Sequence, residues 1–320
     1  MIKDSNAILF VHIGPTLPPW LGEALHQARI FNRAPIYLVA EKSALDAIEL
    51  PAELNITALH LEAVPISEKH KTFRRISPMD TSFAEGFWTF TTERFFVVES
   101  AMRLFGLRNV LHLENDVLLY CDIARLTPIL ARLYSGVAST FINDGLCVPG
   151  LVYIPDVGAA ARLTRALLGA LEAAIRAAPT LAQCQQTNDM TLLGMLRAEG
   201  AYLIDHLPIV PPDYPAPLRS ELGHVPADPS RYSAHFDALN YIFDGAALGQ
   251  YFGGVDPRNA PPPSNGFVNP STVFDPRLLN PHMISDNEGR KIPVVETASG
   301  IVRVANLHMH SKDLRPFMSV

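Results

Sequence analysis

Residues 109–126 read N-V-L-H-L-E-N-D-V-L-L-Y-C-D-I-A-R-L. An apolar run stops at two carboxylates, Glu114 and Asp116, and a second apolar run follows at once. Successive side chains of a strand alternate between its faces, so carboxylates at positions i and i+2 share one face. Isolated buried anions are costly, and a hard divalent cation with oxygen ligands would neutralise this pair. The alternative is a polar strand end that is solvated at the surface.

The residues on the N-terminal side of this stretch predict alternating strands and helices. Apolar runs at 7–13, 35–40 and 56–61 are typical of strands, and the first is continuous enough to be covered on both faces. Residues 20–31 have helical spacing. This β-α-β-α-β order predicts an α/β fold with right-handed crossovers and an open, mostly parallel sheet flanked by helices. Such sheets bind ligands beyond the carboxyl ends of their strands, where Glu114 and Asp116 would lie.

Two segments before the central stretch contain basic residues. Residues 64–86 are polar and mixed, which predicts a solvated loop. Residues 89–105 predict a helix that is capped by Thr91 or Thr92 and has Arg94 in its first turn. A cation in the first turn is poorly placed in the field of the helix dipole, so an anionic partner is one explanation for Arg94. An ordinary exposed arginine is the other.

The C-terminal side predicts a helix at 159–178. The stretch 183–197 opens with polar residues and becomes a second helix, with Asn188 and Asp189 at its start. The ordinary role of such residues at a helix start is an N-cap. Residues 207–293 are rich in proline and have few periodic segments, a composition of functional or mobile loops. A short helix is predicted there at 245–251.

The last segment with a recognisable pattern is 301–310, which predicts a strand. His308 and His310 would share one face of this strand, because they are two residues apart. Such a pair is a plausible set of metal ligands, although most histidine pairs on strands serve packing.

Composition indicates a globular protein with a sizeable core: 320 residues, 48% hydrophobic, 18% charged, with a mean hydropathy of +0.13. The net charge of −6 gives no basic footprint for nucleic acid. The three cysteines, Cys121, Cys147 and Cys184, have no CxxC spacing and are expected to be reduced core residues of a cytosolic protein. No stretch approaches the ~18 apolar residues of a membrane span, so we expect a soluble cytoplasmic protein; work beside the inner face of a membrane is compatible with this.

Taken in order, these pieces resemble the GT-A class of nucleotide-sugar glycosyltransferases, nearest to the glycogenin-like and bacterial lipooligosaccharide galactosyltransferase families. T-x-E-R-F-F at 91–96 and the central stretch resemble the arginine-bearing helix and D-x-D strand of those families, with Glu114-Asn115-Asp116 in place of D-x-D. T-N-D-M-T-L-L at 187–193 resembles their D-Q-D-x-L-N helix start, with Asn188 replacing the first aspartate. V-H-I-G at 11–14 resembles their first nucleotide-binding strand, and N-L-H-M-H-S-K at 306–312 resembles their C-terminal histidine segment.

The resemblance implies one glycosyltransferase domain over 1–320. Residues 1–125 would form its nucleotide-sugar-binding half and residues 126–320 its acceptor-side half, with the C-terminal strand returning to the metal site. It also implies site residues. The expected metal ligands are Glu114, Asp116, His308 and His310. Contacts to the donor are expected from His12, Gly14, Arg94, Asn115, Gln250 and Lys312. The candidate catalytic carboxylates are Asp189, Asp244 and Asp256.

The chemistry agrees with these assignments. A departing nucleoside diphosphate is strongly anionic, and a divalent cation with arginine and lysine contacts would stabilise it. An imidazole ligand beside carboxylates favours Mn²⁺ over Mg²⁺. Likeness to the glycogenin-like group favours retention of the anomeric configuration, whereas inversion would require one of the carboxylates as general base.

The sequence therefore predicts a metal-dependent glycosyltransferase that moves a hexose-type sugar from a UDP- or GDP-sugar to a glycan or lipid-linked acceptor. The rival enzyme class is a sugar-nucleotide pyrophosphorylase, whose G-x-G-T-R-type loop is missing after Val11-His12. A third alternative is a non-catalytic module that binds sugar or metal. The identity of the donor and the acceptor and the oligomeric state are not specified by these motifs.

Overall fold

The computed structural model describes residues 6–79, 86–185, 187–198, 204–219, 228–256 and 266–320. The strands, in chain order, are β1 (Ala7–Val11), β2 (Ile36–Ala40), β3 (Ile56–His60), β4 (Val110–Leu113), β5 (Val117–Leu119), β6 (Val137–Asn143), β7 (Leu146–Ile154), β8 (Ile204–His206), β9 (Tyr241–Ile242), β10 (His282–Ser285), β11 (Lys291–Thr297), β12 (Gly300–Val304) and β13 (Asn306–His308).

The helices are α1 (Leu21–Phe31), α2 (Lys42–Asp46), α3 (Glu68–Ile76), α4 (Phe87–Phe105), α5 (Ile123–Leu133), α6 (Val157–Ala177), α7 (Leu181–Gln185), α8 (Asp189–Ala198), α9 (Phe236–Leu239) and α10 (Ala247–Gly253). Short 3₁₀ turns lie between several of these elements.

The central sheet of the described residues has seven strands in the order β3-β2-β1-β4-β7-β6-β8. Six strands run in one direction, and β7 is antiparallel to both of its neighbours, β4 and β6. Residues Ala7 to Phe10 of β1 are fully buried, as expected of a strand covered on both faces. The expectation of an α/β fold with a mostly parallel sheet flanked by helices is confirmed.

Two smaller sheets complete the fold. β10, β11, β12 and β9 form a four-stranded sheet, and β13 pairs antiparallel with β5. The single strand predicted at 301–310 is therefore wrong: β12 ends at Val304 and pairs with β11 and β9, whereas β13 begins at Asn306 and pairs with β5. His310 lies beyond the end of β13 and does not share a strand face with His308.

The predicted loop at 64–86 is wrong in its first half. Residues 68–76 form α3, which begins where the Ser67 hydroxyl accepts a hydrogen bond of 3.2 Å from the His70 backbone N–H. His70 and Phe73 of α3 are buried and stack on Phe96 of α4. Residues 80–85 lie outside the described part of the chain.

Helix α4 begins two residues before the predicted start, directly after Gly86, which has a positive φ of 93°. Thr91 and Thr92, the predicted caps, are therefore inside the helix. Arg94 is beyond the first turn, so the dipole argument for an anionic partner was wrong, although Arg94 does pair with carboxylates, as described below.

The proline-rich region 207–293 contains more regular structure than predicted, including β9, α9, β10 and α10. The short helix predicted at 245–251 begins instead at Ala247, because Asp244 accepts hydrogen bonds from the N–H groups of its first turn. Residues 220–227 and 257–265 of this region are not among those described.

Cys121, Cys147 and Cys184 are free and buried. None of the helices in the described ranges combines the length and the apolar character needed to cross a bilayer.

Candidate metal centre

The two carboxylates of the central stretch lie in a tight turn and not within a strand. β4 ends at Leu113, and the Val117 N–H donates to the Glu114 carbonyl at 3.2 Å before β5 begins. This turn sits at the carboxyl end of β4, the edge of the sheet at which ligands of parallel sheets bind. The sequence predicted that Glu114 and Asp116 lie close together, and they do. The cause is the turn, not the alternation of side chains along a strand.

His308 reaches the same turn from the C-terminal part of the chain. β13 pairs with β5 so that His308 lies opposite Val117, and the Met309 N–H donates to the Asp116 carbonyl at 2.9 Å. The His308 Nε2 atom is 3.1 Å from a Glu114 oxygen and 3.3 Å from Asp116 Oδ2. One ligand atom from each residue lies within 4.8 Å of the others. We call Glu114, Asp116 and His308 the triad.

Gly150 of β7 makes room for the His308 ring. A Cβ atom added to Gly150 would lie 2.7 Å from His308 Nδ1, closer than real Cβ contacts allow. The Gly150 carbonyl also accepts the Glu114 N–H at 2.9 Å, so this glycine contacts two members of the triad. Sequence reasoning missed it, although a glycine inside an apolar strand often marks such a close approach.

Two long cations contact the carboxylates of the triad. The Lys312 ammonium donates to Asp116 Oδ2. Arg94 of α4 forms an ion pair with Glu114 and donates to Asp189 at 2.9 Å. The cluster holds equal numbers of acidic and basic side chains: Glu114, Asp116 and Asp189 with Arg94, His308 and Lys312.

These neighbours set the ionisation of the buried groups. Burial alone would raise the pKa of Glu114, but the charges of Arg94 and His308 lower it to about 2. Lys312 and His308 likewise outweigh burial and hold the pKa of Asp116 far below its usual range. Burial would lower the pKa of His308, but Asp116 and Glu114 raise it to about 10. The triad is therefore two carboxylates and an imidazolium when no metal is bound.

Asp189 differs from the triad carboxylates. It is the first residue of α8, and burial raises its pKa to about 6 despite the charge of Arg94. The preceding residue, Asn188, accepts a hydrogen bond of 3.0 Å from the Thr191 N–H, the N-cap role that the sequence favoured.

The donor set of the triad fits a divalent cation. Two carboxylates and one imidazole supply oxygen and nitrogen ligands, a combination that suits Mn²⁺ better than Mg²⁺. Buried polar atoms without a hydrogen-bond partner in the described ranges are also found here: Arg94 Nε, Asn115 Oδ1 and His308 Nδ1. Buried polar groups are normally satisfied, so these atoms are open to a further hydrogen-bond partner.

The residues that follow β1 lie next to the turn that carries Glu114 and Asp116. The Asn115 amide donates to His12 Nδ1 at 3.1 Å, and His12 Nε2 donates to the Thr16 carbonyl at 2.7 Å. Gly14 donates its N–H to Glu41 at 2.9 Å. His12 and Asn115 thus meet at the carboxyl ends of adjacent strands, β1 and β4.

Asp244 has a structural role that the sequence did not anticipate. Its two oxygens accept backbone N–H groups from Leu248 at 2.9 Å, Gly249 at 2.8 Å and His308 at 2.9 Å. These three bonds explain the position of Asp244 without a substrate, and its assignment as a catalytic group stays a prediction.

His310 and two other predicted site residues lie outside the triad. His310 Nδ1 accepts the Asp256 N–H at 2.9 Å, and His310 is not among the residues that could hold the metal together. Its assignment as a ligand stays a prediction. Gln250 of α10 accepts the Phe267 N–H, and Asp256 is buried beside His310.

A cavity of about 210 Å³ opens beside Lys312. Its walls come from the start of α1 and from the turn that follows β13. The lining residues are Pro19, Trp20, Glu23, Lys312, Asp313, Leu314 and Arg315.

At the level of sequence, no protein family and no curated protein matches this chain. Among solved structures, the apo form of mouse xyloside xylosyltransferase 1 is similar with a TM-score of 0.43 and 12% identity, over 63% of this chain and 84% of that chain. The galactosyltransferase LgtC in complex with donor and acceptor sugar analogues is similar with a TM-score of 0.35 and 14% identity, over 63% of this chain and 73% of that chain. A cytidylyltransferase from Leptospira borgpetersenii is similar with a TM-score of 0.33 and 9% identity, over 63% of this chain and 75% of that chain.

Proposed function

We propose that this chain is a metal-dependent glycosyltransferase of the GT-A type that moves a sugar from a nucleotide-diphosphate donor to a glycan or lipid-linked acceptor. The observation that carries the proposal is the convergence of Glu114, Asp116 and His308 at the carboxyl edge of a mostly parallel sheet, with Lys312 and Arg94 against them. Buried carboxylates, an imidazole and two long cations at one edge are the groups that a metal-bound diphosphate requires.

Each group has a part in this reaction. The triad would hold Mn²⁺, which supplies Lewis-acid neutralisation of the departing diphosphate. Lys312 lies on the Asp116 side of the triad and would contact phosphate oxygens. Arg94 and Asp189 lie on the Glu114 side and would orient the transferred sugar. His12 and Asn115 would line the nucleoside site.

The arrangement of the carboxylates favours retention over inversion. An inverting enzyme needs a carboxylate that is free to take the proton of the acceptor hydroxyl. Asp189 is bound by Arg94, and Asp244 is bound by three backbone donors. Asp256 is the candidate base for an inverting route. The anomeric configuration of the product, measured by NMR, separates the two routes.

The free, buried cysteines agree with work in a reducing compartment, so we place the reaction in the cytoplasm or at the inner face of its membrane. We also propose that residues 1–320 act as one domain, because the C-terminal His308 completes a site that begins at Glu114.

The experiment is a hydrolysis and binding screen with UDP- and GDP-sugars, with and without Mn²⁺. We expect Mn²⁺ and one donor together to raise the melting temperature and to give slow release of the nucleoside diphosphate. Asp116→Asn should abolish both effects, whereas the exposed Asp237→Asn is the matched control and should preserve them.

Other outcomes identify the alternatives. Formation of a nucleoside triphosphate from a donor and pyrophosphate would indicate a pyrophosphorylase. Stabilisation by donor without turnover against any acceptor would indicate a binding module. If no donor binds and Asp116→Asn behaves as the wild type does, the proposal is wrong.

A further inference from the structure

One oxygen of Asp116 serves two partners. Asp116 Oδ2 lies 3.3 Å from His308 Nε2, and the same oxygen accepts a hydrogen bond from the Lys312 ammonium. Oδ2 is the Asp116 oxygen that faces His308, so a metal ion held between Asp116 and His308 would lie against it, and the metal and the ammonium would repel each other strongly there.

We propose that Lys312 is a tethered cation that excludes the metal from Asp116 until an anionic ligand draws the lysine away. This inference rests on the metal site of the proposed function and adds a rule for how that site is filled. Metal alone must displace an ammonium group already paired with Asp116. When a diphosphate binds together with the metal, the Lys312 ammonium can leave Asp116 and pair with the diphosphate.

The local structure fits a side chain with two positions. Lys312 follows His308 by four residues, so the tether is short, and its backbone N–H donates to the Met309 carbonyl at 3.0 Å. Its side chain is 22% exposed and lines the cavity beside α1. Lys312 can therefore leave Asp116 for this cavity without unfolding the turn.

The backbone at Lys312 guides the choice of a test variant. Its φ is 65°, in the left-handed region that favours glycine. A lysine here costs about 1 kcal/mol or more relative to a relaxed conformation. The same φ makes Lys312→Gly a variant that removes the ammonium group without straining the turn.

The consequence is coupling between metal and anion. Each should bind the protein weakly alone and more tightly together, because each removes the competitor of the other. Removal of the lysine side chain should strengthen the binding of metal alone and reduce this coupling.

The test is a titration of the full chain with Mn²⁺, followed by the electron paramagnetic resonance signal of free Mn²⁺, with no nucleotide present. We expect Lys312→Ala to bind Mn²⁺ roughly tenfold more tightly than the wild type, the scale of one charge-assisted hydrogen bond. Lys312→Gly is a second variant whose residue adopts the positive φ without strain, so it tests the proposal even if the alanine variant misfolds. Arg315→Ala removes a charge from the same turn without contacting Asp116, and should change the affinity little.

A second titration uses UDP as the anionic probe. UDP should tighten Mn²⁺ binding to the wild type and should do so much less for Lys312→Gly. Equal or weaker Mn²⁺ binding to both lysine variants overturns the proposal. If that binding still disappears in Asp116→Asn, the proposed metal site stands; if no variant binds Mn²⁺, both proposals fail.

Discussion

His308 can occupy the triad because Gly150 has no side chain. The ring of His308 and the backbone of β7 approach so closely that a single methyl group would collide with Nδ1. The position of His308, the proposed metal ligand, thus depends on the missing side chain at Gly150 of the neighbouring strand.

We predict that Gly150→Ala weakens Mn²⁺ binding at least tenfold, because the imidazole must move away from the carboxylates. Overpacking of this kind should also cost about 1–3 kcal/mol of stability. The measurements are Mn²⁺ affinity and denaturant unfolding. Gly169→Ala in α6 is the matched control: no atom lies within 4 Å of the added Cβ, so affinity should be unchanged and stability should rise slightly.

A second residue-scale prediction concerns acid stability. The His206 ring stacks on Phe141 at 4.3 Å, meets the edge of Tyr232, and has no hydrogen-bond partner for either nitrogen within the described residues. Burial, assisted by the charges of Arg197 and Arg231, lowers the pKa of His206 to about 3, while Asp144 and Asp228 oppose this.

The unfolded chain therefore binds a proton at His206 more readily than the folded chain does. The stability that neutral His206 contributes is complete above about pH 6.5 and is lost as the pH falls towards 3. Between pH 7 and 5 we expect a loss of about 2 kcal/mol from this group. Urea unfolding of wild type and His206→Phe at both pH values measures it; an equal loss in the variant would contradict the assignment.

At the scale of elements, α10 and β13 are joined by a side-chain cap and a close packing contact. Asp244 accepts N–H groups from the first turn of α10 and from His308, and a Cβ on Gly249 would lie 2.0 Å from the His308 carbonyl oxygen. The helix therefore fixes the strand that carries His308, the proposed metal ligand.

We predict that Asp244→Ala destabilises the protein by about 3–5 kcal/mol, because it leaves three buried N–H groups without acceptors. Chemical denaturation measures this, with the exposed Asp237→Ala as control. Lost turnover with unchanged stability would instead support the catalytic role that the sequence suggested for Asp244.

Elements with a strong local pattern were predictable, and elements defined by distant partners were not. β1 and α4 have continuous apolar or helical periodicity, and both were predicted within a few residues. The change from β12 to β13 leaves no mark in I-V-R-V-A-N-L-H, because it depends on which strand pairs with each half. α3 was missed because its basic residues pair with acids of another helix, such as Lys69 with Glu99 and Arg74 with Glu93.

The same distinction applies to the site. The pairing of Glu114 and Asp116 could be predicted from residue type, and His308 could be named as a candidate partner, whereas the turn that brings the two carboxylates together could not. The roles of Gly150 and Asp244 required knowledge of which backbone atoms lie nearby, which no local pattern contains.

At the scale of the whole molecule, the C-terminal residues are fastened to the N-terminal half. Gln27 of α1 donates to Ser319 Oγ at 2.9 Å and accepts the Ser319 N–H at 2.9 Å, while the Tyr120 hydroxyl donates to the Phe317 carbonyl at 2.8 Å. These bonds hold the segment that follows Lys312 against α1 and Tyr120.

We predict that Gln27→Leu loosens this segment. Residues 313–319 should exchange amide hydrogens faster, and the protein should lose about 1–3 kcal/mol of stability, because the Ser319 N–H loses its acceptor. Hydrogen exchange by mass spectrometry measures the effect, and the exposed His26→Ala provides the control on the same helix. Unchanged exchange at 313–319 would show that other contacts hold the segment.

The return of the C-terminal strand also sets when the protein becomes competent during its synthesis. Asp116 and Lys312 are 196 residues apart, so a ribosome that adds about 5–20 residues per second needs roughly 10–40 s between them. During this interval the nascent chain exposes both carboxylates of the turn without the histidine and lysine that later neutralise them. If the proposed function holds, unfinished chains should be unable to turn over a donor until translation has passed β13.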